Sequence, residues 1–220
     1  MRHHDLLLFG ATRNTGFCIA QQACAEGETV AAMVRPGSNA LELRKLGVTV
    51  VIGDAFEKTD CMRAVAKTRP RRAISVLGGK NTAGRRVDAE GNINVIRALE
   101  EEGVDLGQFV LMTSMGSGEQ YDELSESVKE WLGGALLAKT EAENTLKASR
   151  LPCWSIVRPG GLNNAVATGN FCLLLTPDKQ RPGYLSRSDV ATATLAVLDD
   201  PRWSRCAVTI QKKLRKASLK

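Results

Sequence analysis

Short apolar runs alternate with mixed segments along most of the chain. Residues 5–10, 29–34, 48–52, 73–77, 109–113 and 153–157 are strand-sized and dominated by aliphatic or β-branched side chains. Residues 14–26 place Phe17, Ile19, Ala20 and Ala23 at helical spacing. Ser38 is placed to cap a helix that stops near Gly47, and residues 57–67 form the next helix. A longer helix is predicted over 84–102, ended by Gly103, and another over 136–149. After Pro159 the rhythm loosens. Residues 160–182 are rich in Gly, Asn, Thr and Pro and read as loops. Tyr184 and Leu185 then suggest a short strand, Ser188 a cap for a helix through Leu198, and 206–210 a last strand.

Strands that are apolar throughout, separated by helices, predict a parallel sheet covered on both faces. Right-handed crossovers make the α/β doubly wound Rossmann order the leading topology, over one domain spanning 1–220. A loop-rich lobe at about 159–185 and a basic tail at about 211–220 complete the expected organisation. At 43% hydrophobic and 25% charged residues the composition is that of a globular protein. No apolar run reaches the roughly 20 residues that span a bilayer. The N-terminus enters a strand at once, without a secretory pattern, and six scattered cysteines lack any paired spacing. A cytoplasmic location and no membrane are expected. The net charge of +6 is local: residues 201–220 hold seven basic groups and no acid, while the first 200 residues carry a net −1. A solvated end fits better than a nucleic-acid arm, so no nucleic-acid partner is expected. No His/Cys/Asp cluster has metal spacing.

The segment Gly10-Ala11-Thr12-Arg13-Asn14-Thr15-Gly16 joins the first strand to the first helix. Gly10 permits the turn off the strand and Gly16 a close approach of helix to sheet. The N–H groups of the first helical turn then face a diphosphate. Arg13 replaces the usual middle glycine. The second strand ends in Arg35, where an NAD-specific protein usually carries an acid. A guanidinium there suits a 2′-phosphate, and Ser38 can add a hydrogen bond, so NADP(H) is the expected cofactor.

These pieces resemble the atypical short-chain dehydrogenase/reductases, in the NmrA-like group that includes flavin and biliverdin reductases. The resemblance rests on GATRNTG at 10–16, VRPGS at 34–38, GDA at 53–55, VLGG at 76–79, LMTSMGSG at 111–118, AKTEAENTLKAS at 138–149, WSIVRPGGL at 154–162 and YLSRSDVATATLAVLDDP at 184–201. It implies that Asp54 and Ala55 contact adenine and that Leu77, Gly78 and Gly79 line the cofactor's ribose. It also implies Thr113 and Ser114 beneath the nicotinamide and Pro159, Gly160 and Gly161 closing over it. Typical members of the wider superfamily carry a Tyr-x-x-x-Lys pair. Lys139 matches the lysine, but the position four residues earlier is Ala135. Lys139 can reach the ribose hydroxyls or pair with Glu143 one turn on.

Ser114 and Lys139 are therefore the candidate catalytic residues. Met115, Tyr121, Trp131, Asn163, Asn164 and Phe171 are candidates for the substrate wall, with ordinary lid packing as the alternative. Without a tyrosine, acceptors that take a hydride easily (flavins, tetrapyrroles, quinones) suit the site better than simple ketones. Two functions follow: an NADPH-dependent reductase of a conjugated small molecule, or a non-catalytic NADP(H) sensor or assembly protein. A sugar-nucleotide epimerase would need the missing tyrosine and a larger lobe. A monomer or small homo-oligomer is expected.

Overall fold

The structure, a computed structural model, describes residues 3–178 and 183–213. Its elements in chain order are β1 (Leu6–Phe9), α1 (Asn14–Ala25), β2 (Val30–Val34), α2 (Leu41–Lys45), β3 (Thr49–Ile52), α3 (Lys58–Thr68), β4 (Arg72–Ser75), α4 (Glu90–Glu101), β5 (Gln108–Met112), α5 (Glu126–Lys147), β6 (Trp154–Pro159), β7 (Leu162–Asn163), β8 (Phe171–Leu174), β9 (Leu185–Ser186), α6 (Arg187–Asp199) and β10 (Cys206–Lys212).

Eight strands form one sheet in the order β3-β2-β1-β4-β5-β6-β10-β8. Every pairing is parallel except that of β8 with β10. All residues of β1, β2, β5 and β6 are buried, as strands covered on both faces must be. Within β1, Leu6 and Leu8 pack toward α1, α2 and α6, whereas Leu7 and Phe9 pack toward α3, α4 and α5. The strand order reverses at β1. The connections leaving β1 and β4 therefore pass to opposite faces and open a crevice at the carboxyl ends of the strands.

Several boundaries differ from the sequence reading. Residues 84–89 are a turn and not the start of α4. Gly84 sits at φ 78° and the Arg85 N–H donates to Asn81 Oδ1 at 3.0 Å, which turns the chain before Glu90. The fifth helix starts at Glu126, well before residue 136, and runs through Gly133 and Gly134. A side chain at Gly133 would crowd the Tyr121 hydroxyl, and one at Gly134 the Arg86 guanidinium. Ser38 does not cap α2, because Asn39 Oδ1 accepts from the Leu41 N–H instead. Ser186, not Ser188, caps α6 and accepts from the Asp189 N–H at 2.9 Å.

The segment read as loops, 160–182, contains β7 and β8, and the short strand expected at Tyr184 and Leu185 is β9. β7 and β9 form a separate two-stranded parallel pair, and β8 covers the edge of β10. Part of that segment, 179–182, lies outside the described residues, as does the tail from 214 onward. Of the basic residues counted with the tail, Arg202 pairs with Asp200 and Arg205 lies over the Trp154 ring. No helix among the described residues is long and apolar enough to cross a membrane.

Candidate dinucleotide site

A cleft of about 780 Å³ opens at the carboxyl ends of β1, β2, β4, β5 and β6. Gly10, Thr12, Arg13, Asn14, Thr15 and Gly16 line it at the start of α1. A Cβ on Gly16 would come within 2.2 Å of the Gly10 carbonyl, and Gly10 itself sits at φ 92° against the Val76 backbone. Both glycines thus do what the sequence required of them: helix and strand approach each other with no room for a side chain. Asn14 holds φ 52°, a left-handed conformation that asparagine tolerates better than most residues. Acids are missing from the first turn of α1, so its exposed N–H groups and positive dipole end are left to a ligand.

Arg35 and Ser38 line the cleft beyond β2, and Asp54 and Ala55 beyond β3. Arg35 is exposed and Ser38 half-buried. The Asp54 loop is fixed from below: its N–H donates to Asp60 Oδ2 at 2.8 Å, which holds the Asp60 carboxyl below the usual range. Asp54 Oδ1 in turn accepts from the Phe56 N–H at 3.0 Å.

Leu77, Gly78 and Gly79 line the middle of the cleft, and Lys139 enters beside them from α5. The Lys139 ammonium lies 2.7 Å from Asp88 Oδ1, while Asp88 Oδ2 accepts the Gly79 N–H at 2.9 Å. Lys139 therefore pairs with Asp88, not with Glu143 one turn along its own helix. Asp88 is almost wholly buried, so the ammonium is held in a fixed position. A side chain on Gly78 would meet both members of that pair.

Thr113, Ser114, Pro159 and Gly160 close the far end. The Thr113 hydroxyl donates to Glu143 Oε1 at 2.6 Å. Glu143 is fully buried and shares the buried Arg158 guanidinium with Glu119. Burial alone would lower the Arg158 pKa, but the hydrogen bonds to Glu119 and Glu143 outweigh it and raise it. The same guanidinium holds the Glu119 carboxyl down at about 2. The sequence reading missed this network. Its components, Thr113, Glu143 and Arg158, lie on three separate segments.

Gly161 lies off the cleft. A side chain there would strike the Tyr184 ring. None of the six residues expected to form the substrate wall is among those that line the cleft. The Met115 N–H donates to the Pro159 carbonyl at 2.9 Å and its sulfur faces Gly160. Asn163 Oδ1 accepts from the Ala165 N–H, and Asn164 Oδ1 from Arg187. Tyr121 packs its hydroxyl near Gly133, with the Lys129 ammonium over its ring. Trp131 is 86% exposed on α5, and Phe171 lies in β8 against the core. Arg187, Lys80 and Asn81 do line the cleft and were not anticipated.

A crevice with a glycine-framed helix start, a cationic rim at Arg13 and Arg35, and a row of backbone at strand ends has the shape and charge for a dinucleotide. Residues 10–201 match the family model for NAD(P)H-binding proteins. The chain belongs to that family. Among solved structures, ChuY, an anaerobilin reductase from Escherichia coli O157:H7, is 30% identical, with a TM-score of 0.83 over 96% of this chain and 99% of that one. A chloroplastic protein of Arabidopsis thaliana, At2g34460, is 30% identical over 86% of this chain and 70% of its own length. The photosystem II assembly factor Ycf39 of Synechocystis is 28% identical over 52% of this chain and 35% of its own. With the sheet order described above, this similarity makes the chain an atypical short-chain dehydrogenase/reductase with a Rossmann fold.

Proposed function

We propose that the protein is an NADPH-dependent reductase of conjugated acceptors such as tetrapyrroles, flavins or quinones. The observation that carries this reading is Lys139, held in the cleft by a buried Asp88 with no tyrosine beside it. Ala135 occupies the position one turn earlier, and Tyr121 is turned toward Gly133 and Lys129. A simple ketone gathers a full negative charge on one oxygen as it is reduced and needs an acid in contact with it. An acceptor that spreads the charge over a conjugated system needs mainly orientation and exclusion of water.

The residues present fit that task. Arg13 and Arg35 form the rim that takes a 2′-phosphate, and Asp54 and Ala55 flank the adenine position. When bound, the reduced nicotinamide supplies the hydride. Thr113, fixed by Glu143, forms the floor beneath it, and Lys139 holds the ribose. Ser114 offers a hydroxyl to the acceptor. The identity to an E. coli anaerobilin reductase across nearly the full length of both chains supports the tetrapyrrole class. The second reading, an NADP(H) sensor or assembly protein, draws on the missing tyrosine and on the partial similarity to Ycf39.

Steady-state NADPH oxidation against biliverdin, flavins, quinones and unactivated ketones separates the two. Turnover with conjugated acceptors and little with ketones is expected. Ser114→Ala should lower turnover by up to about 10²-fold, the loss of one hydrogen bond in the transition state. Tight NADPH binding without turnover of any acceptor would move the assignment to the sensor.

A further inference from the structure

Five cations line the cleft: Arg13, Arg35, Lys80, Lys139 and Arg187. Arg13 and Arg35 sit toward the β2 end, and Lys80 lies on the hairpin after β4. Lys139 is already paired with Asp88. Arg187, the first residue of α6, has no role so far.

Its surroundings are specific. The Arg187 Nη1 donates to Asn164 Oδ1 at 2.7 Å, its one polar partner among the described residues. Asn164 is an uncharged amide, so it aims the guanidinium without neutralising it. The nearest acid along the helix, Asp189, is consumed elsewhere. Its carboxylate accepts the N–H groups of Thr168 and Gly169 and the Thr168 hydroxyl. A guanidinium that reaches solvent from a half-buried residue, with most of its donors unfilled, is arranged for an anion that arrives from outside.

The α1–α6 seam places Arg187 relative to the first turn of α1. Gln22 on α1 donates to the Ser188 carbonyl and hydroxyl, both at 3.1 Å, and accepts from the Thr192 hydroxyl at 3.1 Å. Arg187 precedes Ser188 and so sits nearer the start of α1. There its charge reaches Cys18, whose thiol burial pushes up while the guanidinium pulls it the other way. Cys18 lies one turn past Asn14. Arg187 thus stands beside the first turn of α1, whose N–H groups face the cleft.

We propose that Arg187, aimed by Asn164, closes on the cofactor diphosphate beside the Gly10–Gly16 loop. The helix end supplies N–H donors and partial positive charge, but no full charge. The planar fork of Arg187 supplies one and can take two oxygens at once. The proposal rests on the cofactor reading of the cleft. It assigns Arg187 to cofactor affinity and not to acceptor recognition.

The test is calorimetric and uses three ligands with the full chain. NADPH carries both phosphate groups, 2′-phospho-ADP-ribose keeps both but lacks nicotinamide, and 2′-AMP keeps only the 2′-phosphate. Arg187→Leu should weaken NADPH and 2′-phospho-ADP-ribose alike, by about 10- to 100-fold, as expected for charge-assisted hydrogen bonds. It should leave 2′-AMP unchanged, which also certifies the fold. Arg187→Lys should recover part of the loss. Asn164→Ala should weaken the same two ligands by a smaller factor. Arg35→Leu, by contrast, should weaken all three. Unchanged NADPH affinity in Arg187→Leu with a raised KM for the acceptor would overturn the proposal and leave the cofactor reading intact. An equal loss for 2′-AMP would also overturn it. A parent protein that binds none of the three ligands would remove the cofactor reading, and the proposal with it.

Discussion

At the β1–β2 end the cleft wall is backbone. At the β5–β6 end it is side chains held by buried charge. The first end is shaped by what cannot fit: a Cβ on Gly16 collides with the Gly10 carbonyl, so helix and strand share one narrow space. Its charged residues, Arg13 and Arg35, are exposed and free to turn toward a phosphate. The second end is shaped by satisfaction. Thr113, Glu143, Arg158 and Glu119 form one chain of charge-assisted hydrogen bonds, most of it out of water. Side chains at the first end can therefore change at little cost to the fold, whereas at the second end a change to Thr113 or its partners also touches stability.

The comparison breaks most visibly at Glu143. Glu143→Ala removes the buried one of the two carboxylates on Arg158, leaves its Nε donor unpaired and leaves the Thr113 hydroxyl without its acceptor. A loss of about 3–5 kcal/mol in denaturant-derived stability is expected, as for other buried pairs stripped of one partner. A change within about 0.5 kcal/mol, the range of ordinary surface substitutions, would show that the network carries no such load.

Arg35→Asp should do the reverse. Stability should barely move, while NADPH affinity by calorimetry should fall by about 2–5 kcal/mol through a lost ion pair and a new repulsion. Equal affinity of the parent for NADH and NADPH would remove the basis of that expectation.

The smallest effect belongs to Glu119, at the solvent end of the network. Arg158 holds its carboxyl at about 2, below the ordinary 4.5. A carboxylate depressed in the folded state stabilises it above the ordinary value, and that contribution is lost as pH falls from 4.5 toward 2. Glu119 is 65% exposed, so solvent screens the pair and the contribution is well under about 1 kcal/mol. Glu119→Gln should lower stability slightly at neutral pH, converge with the parent as pH falls toward 2, and so flatten the acid limb between those values. An identical acid limb would show that the pair is fully screened.

The backbone end was the readable one. A tight turn, a helix start and an arginine at a strand end are local facts, and local sequence carries them. The side-chain end was not readable, because Thr113, Glu143 and Arg158 are far apart in the chain and each alone has an ordinary explanation. Glu143 looked like a helical partner for Lys139. Arg187 was missed for a different reason. Taking Ser188 for the helix cap pushed Arg187 outside α6, whereas Ser186 as cap makes it the first helical residue, facing the cleft. In the same way, extending α4 back to Gly84 hid the turn that delivers Asp88 to Lys139. Both errors are boundary errors, and both fell where side chains had been recruited to the site.

The seam between α1 and α6 joins positions 166 residues apart. On a ribosome, the Gly10–Gly16 loop is thus made long before the start of α6 that packs beside it. Every strand from β2 to β9 must leave the exit tunnel before Gln22 can meet Ser188. Contacts of such long range form slowly, since the chain between them must be ordered first. A nascent chain would therefore hold an open half-site through most of its synthesis and gain a complete one only near the end. A dinucleotide held by both segments, as proposed, would stabilise the finished molecule by mass action and leave truncated chains without that support. Cofactor supply in the cell would then set how much of the newly made protein survives quality control.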